Sequence, residues 1–278
     1  MAAIGPAAKA RATGQAMARA RRSVATDERR KPLAQAHRIV VKIGSSTLAR
    51  DGKLRSRKFS DLARQISGLM DEGREVVLVS SGAIAIGAAK LGWDKPRHTI
   101  PQMQAAAAVG QIGLIDLYQR RFANYDRKVA QVLLTRMGLE DRERFLNARQ
   151  ALHELLKLQV VPIVNENDTI ATEEIRFGDN DNLSANIVSL VSADVLVILT
   201  DVDGLYVESP IPGRRKPKLF DVIEKVTPEV ERAAQGSPNA FGRGGMITKL
   251  EAAKTAAYTG AATVVCNGGT NDVIARVL

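Results

Sequence analysis

From His37 onward, short runs rich in β-branched and other apolar residues alternate with longer stretches in which apolar residues recur at helical spacing. The runs occupy residues 38–43, 75–79, 129–134, 160–164, 195–199 and 263–265. Nearly continuous apolar character is expected of strands covered on both faces, and strands separated by helical patterns predict a parallel sheet. In residues 142–158, Leu146, Leu152, Leu155 and Leu156 repeat at helical spacing, while Arg144, Arg149 and Glu154 fall largely on other faces. A second such pattern starts at Met246 and continues through Ile247, Leu250, Ala253, Ala257 and Tyr258. Residues 210–217, Pro-Ile-Pro-Gly-Arg-Arg-Lys-Pro, read as a surface loop or hairpin connection and not a domain boundary. The pattern predicts one domain over residues 37–278, an α/β/α three-layer sandwich with a mainly parallel central sheet.

Composition adds limits. With 45% apolar residues in 278, the chain can bury a core without disulfide or metal staples. No apolar run reaches the ~18 residues that would cross a bilayer. The single cysteine, Cys266, forms no internal disulfide, and with three scattered histidines it builds no cysteine/histidine zinc cluster, which points to a reducing, cytoplasmic setting. Charge is uneven. Of the net +10, residues 1–38 hold nine Lys/Arg against Asp27 and Glu28, or +7, and the remainder holds 31 against 28, or +3. Residues 1–36 therefore read as a basic, Ala- and Arg-rich tail with too little apolar surface to fold. An organelle transit peptide has a loosely similar composition, whereas a secretory signal would need an apolar segment after the charges.

Ligands of open parallel sheets bind beyond the carboxyl ends of the strands, so the residues following each run are the ones to inspect. The first run ends Val41-Lys42-Ile43-Gly44-Ser45-Ser46-Thr47, and a lysine inside an apolar strand is costly unless its ammonium has a partner. Gly44 admits close backbone approach to an anion, although Gly44-Ser45 alone reads equally well as a turn. The second run leads through Ser80-Ser81-Gly82-Ala83 into a helical stretch, which fits either an anion site or a plain serine cap. Asn165-Glu166-Asn167-Asp168 and Gly178-Asp179-Asn180-Asp181-Asn182 gather amides and carboxylates in two clusters. Capping and turn chemistry account for one or two of these residues, not eight; together they supply the donors and acceptors that a zwitterionic ligand needs.

Thr200-Asp201 stand where an adenine or ribose would lie at the tip of the fifth run. In Arg243-Gly244-Gly245-Met246-Ile247-Thr248-Lys249, glycines precede a helix with a lysine in its first turns. The helix dipole disfavours a cation there, so Lys249 calls for a nearby anion. The Walker A order, a Gly-x-Gly-x-x-Gly after a strand, a Gly-x-Ser-x-Gly elbow and a His-Glu-x-x-His pair are all missing from the sequence. Two lysines, glycine-rich backbone and amide/carboxylate clusters around one sheet edge leave phosphoryl transfer of a non-Walker kind.

These segments, with Asp141-Arg142-Glu143-Arg144-Phe145-Leu146-Asn147-Ala148-Arg149, resemble the glutamate 5-kinase family of the amino acid kinase superfamily over residues 38–278. The resemblance implies ATP-dependent phosphorylation of the L-glutamate side-chain carboxylate to L-glutamyl 5-phosphate, the first step of proline biosynthesis, with Mg²⁺. It implies that Lys42 and Lys249 contact the transferring phosphates and Asp181 orients them. It also implies that Ser81, Asp168 and Asn180 bind glutamate and that Thr200, Asp201 and the segment Arg243, Gly244, Gly245, Met246, Ile247, Thr248 and Lys249 hold ATP. Arg243 departs from the threonine common in the family, and the family's frequent C-terminal PUA domain has no counterpart in these residues. Proline as feedback inhibitor, a homo-oligomer and coupling to glutamate-5-semialdehyde dehydrogenase are further implications.

Two rivals remain. A sister kinase for aspartate, acetylglutamate or UMP should not carry the Gly178 to Ala185 string. A catalytically dead regulator or nucleic-acid binder acting through the tail has no need of Lys42 and Lys249, and would show a steep salt dependence that vanishes with the tail. Because the tail holds most of the charge and no motif, a chain beginning at Gln35 is expected to keep its turnover and lose affinity for polyanions. Steady-state kinetics beside heparin retention would check this.

Overall fold

A computed structural model describes residues 28–50, 53–93, 99–171, 180–211, 213–237 and 245–278. Six strands form one sheet: β1 (Arg38–Ile43), β2 (Glu75–Ser80), β3 (Val129–Leu134), β4 (Val161–Glu166), β5 (Val195–Thr200) and β6 (Ala262–Asn267). Their order is β3-β4-β2-β1-β5-β6, and every pair is parallel. Each run predicted from the sequence is a strand. The interior strands are buried apart from the half-buried first residues Arg38 and Glu75, while edge strand β3 exposes Gln131 and Leu133, because it has a neighbour on one side only.

The main helices are α1 (Ser56–Asp71), α2 (Ala83–Lys90), α3 (Ile100–Ala123), α4 (Arg142–Lys157), α5 (Asp181–Val191), α6 (Pro228–Gln235), α7 (Met246–Ala257) and α8 (Val273–Val277). Strand alternation divides the core into two layers. Ile39, Val41 and Ile43 of β1 pack with Phe59, Leu62 and Ile66 of α1, Leu114, Tyr118 and Phe122 of α3, and Ile274 of α8. Val40 faces the other way, with Val77, Val164, Leu196 and Ile198, against Leu152 of α4, Ile187, Val188 and Leu190 of α5, and Ala252 and Ala256 of α7. Each fully buried Leu, Ile or Phe side chain contributes about 1.5–3 kcal/mol. The same alternation decides the site: Lys42, two residues beyond Val40, is turned toward the α5/α7 layer.

Residues 210, 211 and 213–217 lie outside regular elements, and their flanks pair as a short antiparallel bridge between Tyr206 and Leu219, the hairpin option of the sequence reading. At the N-terminal side, residues 28–36 belong with the fold. They form a 3₁₀ turn (Glu28–Arg30) and a short helix (Lys31–Gln35); Leu33 packs on the core, Ala36 is 3% exposed and Arg30 pairs with Asp221. A boundary at residue 37 thus cuts through packed chain, and a chain beginning at Gln35 would lose the Leu33 contact and the Arg30–Asp221 pair and with them some stability; the polar character of 28–32 hid the two apolar residues that dock it. The rest of the expected tail, 1–27, lies outside the described residues.

Helices α2 and α3 approach so closely that side chains are excluded at the contact. A Cβ on Gly110 would stand 1.8 Å from the Ala83 carbonyl oxygen, and one on Gly87 1.7 Å from that of Ala106. This contact sets the position of α3 beneath the carboxyl ends of β2 and β4. Gly110→Ala should therefore force the helices apart and cost about 2–3 kcal/mol of stability in urea unfolding. An unchanged midpoint would show that the pair can separate freely.

Candidate active site

The chain leaves β1 toward β2 on one side and β5 toward β6 on the other, so the carboxyl ends of β1 and β5 flank a topological switch point. Here the structure brings together three ionic groups from three elements. Lys42 of β1, Asp181 at the first position of α5 and Lys249 in the first turns of α7 are 3%, 0% and 3% exposed. Asp181 Oδ1 pairs with the Lys42 ammonium, and Oδ2 pairs with Lys249 Nζ at 3.1 Å. The Thr248 hydroxyl donates to Oδ2 at 2.9 Å, and Lys249 Nζ also reaches the Gly245 carbonyl at 3.5 Å. The anion beside Lys249 is a protein carboxylate, Asp181, where the sequence suggested an anion bound between the lysine and the helix start. As a carboxylate at a helix N-terminus, it is also favoured by the α5 dipole.

One carboxylate held between two ammoniums puts three buried ionic groups at the switch point, and buried charges of this kind are kept only where they are paired. The placement follows from local chain preferences: Gly245 in extended conformation caps α7, which turns Lys249 back toward the helix start.

A second constellation adjoins the first through Asn180, the residue before Asp181. Asn180 occupies the N-cap position of α5 but makes no side-chain cap. Its amide instead donates to Ser81 Oγ at 3.1 Å and to Asn165 Oδ1 at 2.8 Å. Asn165 Nδ2 donates in turn to Gln111 Oε1 at 2.9 Å. Ser81 sits at the tip of β2, where its N–H donates to the Ile43 carbonyl and Gly82, at φ 116°, turns the chain into α2. The preceding Ser80 is tied to the buried Tyr118 hydroxyl at 2.8 Å, and burial holds that phenol above its ordinary pKa. Asp168 does not bond Ser81 or Asn180 among the described contacts. It lines an adjoining pocket of about 180 Å³ together with Gln111, Glu166 and Asn167.

On the β5 side, Thr200 is 6% exposed and its hydroxyl donates to Asp201 Oδ1 at 3.2 Å, while Asp201 is exposed. Nearby, Asp203 accepts from Lys216 Nζ at 2.6 Å, Asn267 Nδ2 and the Tyr206 hydroxyl, both at 2.8 Å. Lys216 above all, then Asn267 and Tyr206, hold its carboxyl down at about 2. This clasp ties the 206–219 hairpin to the tips of β5 and β6. Its contribution is complete above the ordinary carboxylate range and is lost as pH falls toward about 2. Of the predicted nucleotide segment, Gly245, Met246, Ile247, Thr248 and Lys249 are described, and Arg243 and Gly244 lie outside the described residues. Met246 sends its side chain into a small cluster with Leu205, Val230 and Ala234. Among the described residues, no group of three His, Cys, Asp or Glu could hold a metal ion, and no helix is long and apolar enough to cross a membrane.

The sequence reading named the trio and Asn180; it passed over Gln111 and the Ser80–Tyr118 pair. One signal was present for Gln111. It falls on the same helical stripe as Ala107, Leu114 and Tyr118, all buried, where a polar residue needs a reason.

A parallel α/β/α sandwich with two buried lysines at its switch point is the architecture of a phosphoryl-transfer enzyme, and the chain belongs to the amino acid kinase family, whose model matches residues 37–267. Glutamate 5-kinase of Paraburkholderia phymatum is 49% identical over 89% of this chain and 67% of its own length; that of Cupriavidus metallidurans is 52% identical over 88% and 66%. At that similarity the chain sits among the glutamate 5-kinases of the family, of which it spans about two thirds of the length. Two solved structures share the fold at 15% and 14% identity. They are carbamate kinase from Giardia lamblia bound to AMP-PNP, with TM-score 0.56 over 85% of this chain and 94% of that one, and an isopentenyl phosphate kinase, with TM-score 0.57 over 86% and 95%.

The charge arithmetic of the trio yields an ordered prediction. Asp181→Asn leaves two buried ammoniums facing each other and should cost about 3–5 kcal/mol. Lys42→Met keeps the Asp181–Lys249 pair and should cost less. If urea unfolding shows the lysine variant to be the less stable of the two, the carboxylate is not what holds the lysines in place.

Proposed function

We propose that the protein transfers the γ-phosphoryl group of ATP to the side-chain carboxylate of L-glutamate, giving L-glutamyl 5-phosphate as the first step of proline biosynthesis in the cytoplasm. The observation that carries this reading is the buried Lys42–Asp181–Lys249 trio next to the Ser81–Asn180–Asn165 network. Relatives named glutamate 5-kinase at about 50% identity support the substrate.

The chemistry asks little of acid–base groups. A glutamate side chain, with an ordinary pKa of ~4.3, is ionised at neutral pH and needs no general base. Its oxygen forms the new bond to the γ-phosphorus while the bond to the β-phosphate oxygen breaks and ADP leaves. The obstacle is repulsion between two anions, and catalysis is chiefly positioning and charge stabilisation. Lys42 and Lys249 meet the equatorial oxygens of the transferring group, and Asp181, held through Thr248, keeps both ammoniums aimed. Both Asp181 oxygens are engaged, so Mg²⁺ would be carried by the ATP phosphates and water, as this ion commonly is, and would supply further charge neutralisation. Thr200, Asp201 and the segment Arg243, Gly244, Gly245, Met246, Ile247, Thr248 and Lys249 hold the nucleotide. Ser81, Asp168 and Asn180 hold the amino acid, and proline competes there as feedback inhibitor. Ile112 and Met137, 73% and 78% exposed near edge strand β3, support a homo-oligomer. Acyl phosphates hydrolyse readily, so functional coupling to glutamate-5-semialdehyde dehydrogenase would protect the product.

The test is ATP consumption with hydroxylamine present, which traps an acyl phosphate as its hydroxamate, with glutamate compared against aspartate, acetylglutamate and UMP. Turnover on glutamate alone is expected; no glutamyl hydroxamate would sink the reading. Asp168→Ala should raise glutamate KM with little change in ATP KM. Lys42→Met and Lys249→Met should lower kcat by about a hundredfold to a thousandfold, about 3–4 kcal/mol, as for loss of a single oxyanion donor. A folded lysine variant that turns over at the parent rate would remove that lysine from the phosphate site.

A further inference from the structure

Gln111 is 8% exposed, on the buried stripe of α3, and its two amide atoms are treated differently. Oε1 accepts from Asn165 Nδ2 at 2.9 Å, which fixes the orientation of the amide. Nε2 is buried and has no hydrogen-bond partner among the described residues, and Gln111 lines the 180 Å³ pocket beside Glu166 and Asp168. An unsatisfied buried donor costs about 1–3 kcal/mol. A fold tolerates that where a ligand supplies the acceptor.

We propose that Gln111 is a substrate-binding residue whose Nε2 donates to the α-carboxylate of the amino acid. The assignment rests on the glutamate kinase reading and deepens it. The hydrogen-bonded relay runs from Asn180, which precedes Asp181, through Asn165 to Gln111. Its Asn180 end adjoins the ammoniums of the transfer site, so the Gln111 end meets the part of the ligand remote from the reacting carboxylate. Asp168 and Glu166, both acceptors in the same pocket, suit the α-ammonium and cannot serve an α-carboxylate. Gln111 supplies the donor they lack. The relay also links the two ends of the substrate: a ligand that engages Gln111 fixes Asn165 and, through it, the Asn180 amide that meets Ser81.

The experiment compares glutamate with its α-carboxamide, isoglutamine, in the hydroxamate assay at equal subsaturating concentrations, for the wild type, Gln111→Leu and Gln111→Glu. The carboxylate introduced by Gln111→Glu keeps an oxygen for Asn165 Nδ2, so the relay can persist. For Gln111→Leu, glutamate KM should rise about 10- to 100-fold, the usual loss for a hydrogen bond to a charged group, with kcat and ATP KM within about threefold. For Gln111→Glu, which sets a carboxylate against the α-carboxylate, the loss on glutamate should be larger. The rate ratio of isoglutamine to glutamate should rise at least about tenfold over the wild type in Gln111→Glu. A merely structural role would lower both rates together, and an unchanged ratio, including no detectable isoglutamine turnover, overturns the assignment. A wild type that forms no glutamyl hydroxamate overturns the kinase reading and this assignment at once; an active wild type with an unchanged ratio overturns Gln111 alone.

Discussion

A single buried carboxylate holds the active end of this fold together. Asp181 is fully buried and stands between two ammoniums, one from the central strand and one from a helix near the end of the chain. Without it, the like charges of Lys42 and Lys249 would repel in a medium too apolar to screen them. With it, they are fixed at the switch point of the sheet, beside helix N-termini and strand tips. Ion pairs of this kind are weak contributors to net stability, because desolvation consumes most of the attraction. What Asp181 provides is geometry: two cations aimed at one place before substrate arrives.

The surrounding structure serves the same end. Alternation along β1 turns Val41 and Ile43 to the α1/α3/α8 core and Lys42 to the α5/α7 layer, so the lysine is surrounded by the helices that carry its partners. Asn180 couples this charged centre to the polar network of the β2 and β4 tips. The glycine contact between α2 and α3 brings Gln111 within reach of Asn165. The ionic trio and the amide network are thus adjacent stretches of one surface, built from the carboxyl ends of three parallel strands and the helices packed on them.

The sequence by itself determined the architecture. A strand buried on both faces must be apolar throughout and a covering helix must carry a 3.6-residue stripe, so 38–43, 75–79, 129–134, 160–164, 195–199 and 263–265 declared themselves as strands, and 142–158 as a helix. Lys42 within an apolar run and Lys249 after glycines were conspicuous because each breaks a local rule at an energetic cost. Tertiary structure alone decided which anion each lysine meets, since pairing across the whole chain depends on strand order and helix packing, which local pattern does not encode. It also decided that Asn180 abandons its cap for Ser81 and Asn165, that Leu33 and Ala36 dock the residues before β1, and that Gln111, one glutamine among several in an alanine-rich helix, lines a pocket and keeps a buried donor unpartnered. The physical reason is the same in each case: a side chain's hydrogen-bond and charge partners are set by what the fold brings within about 3 Å of it, and that distance is a property of packing.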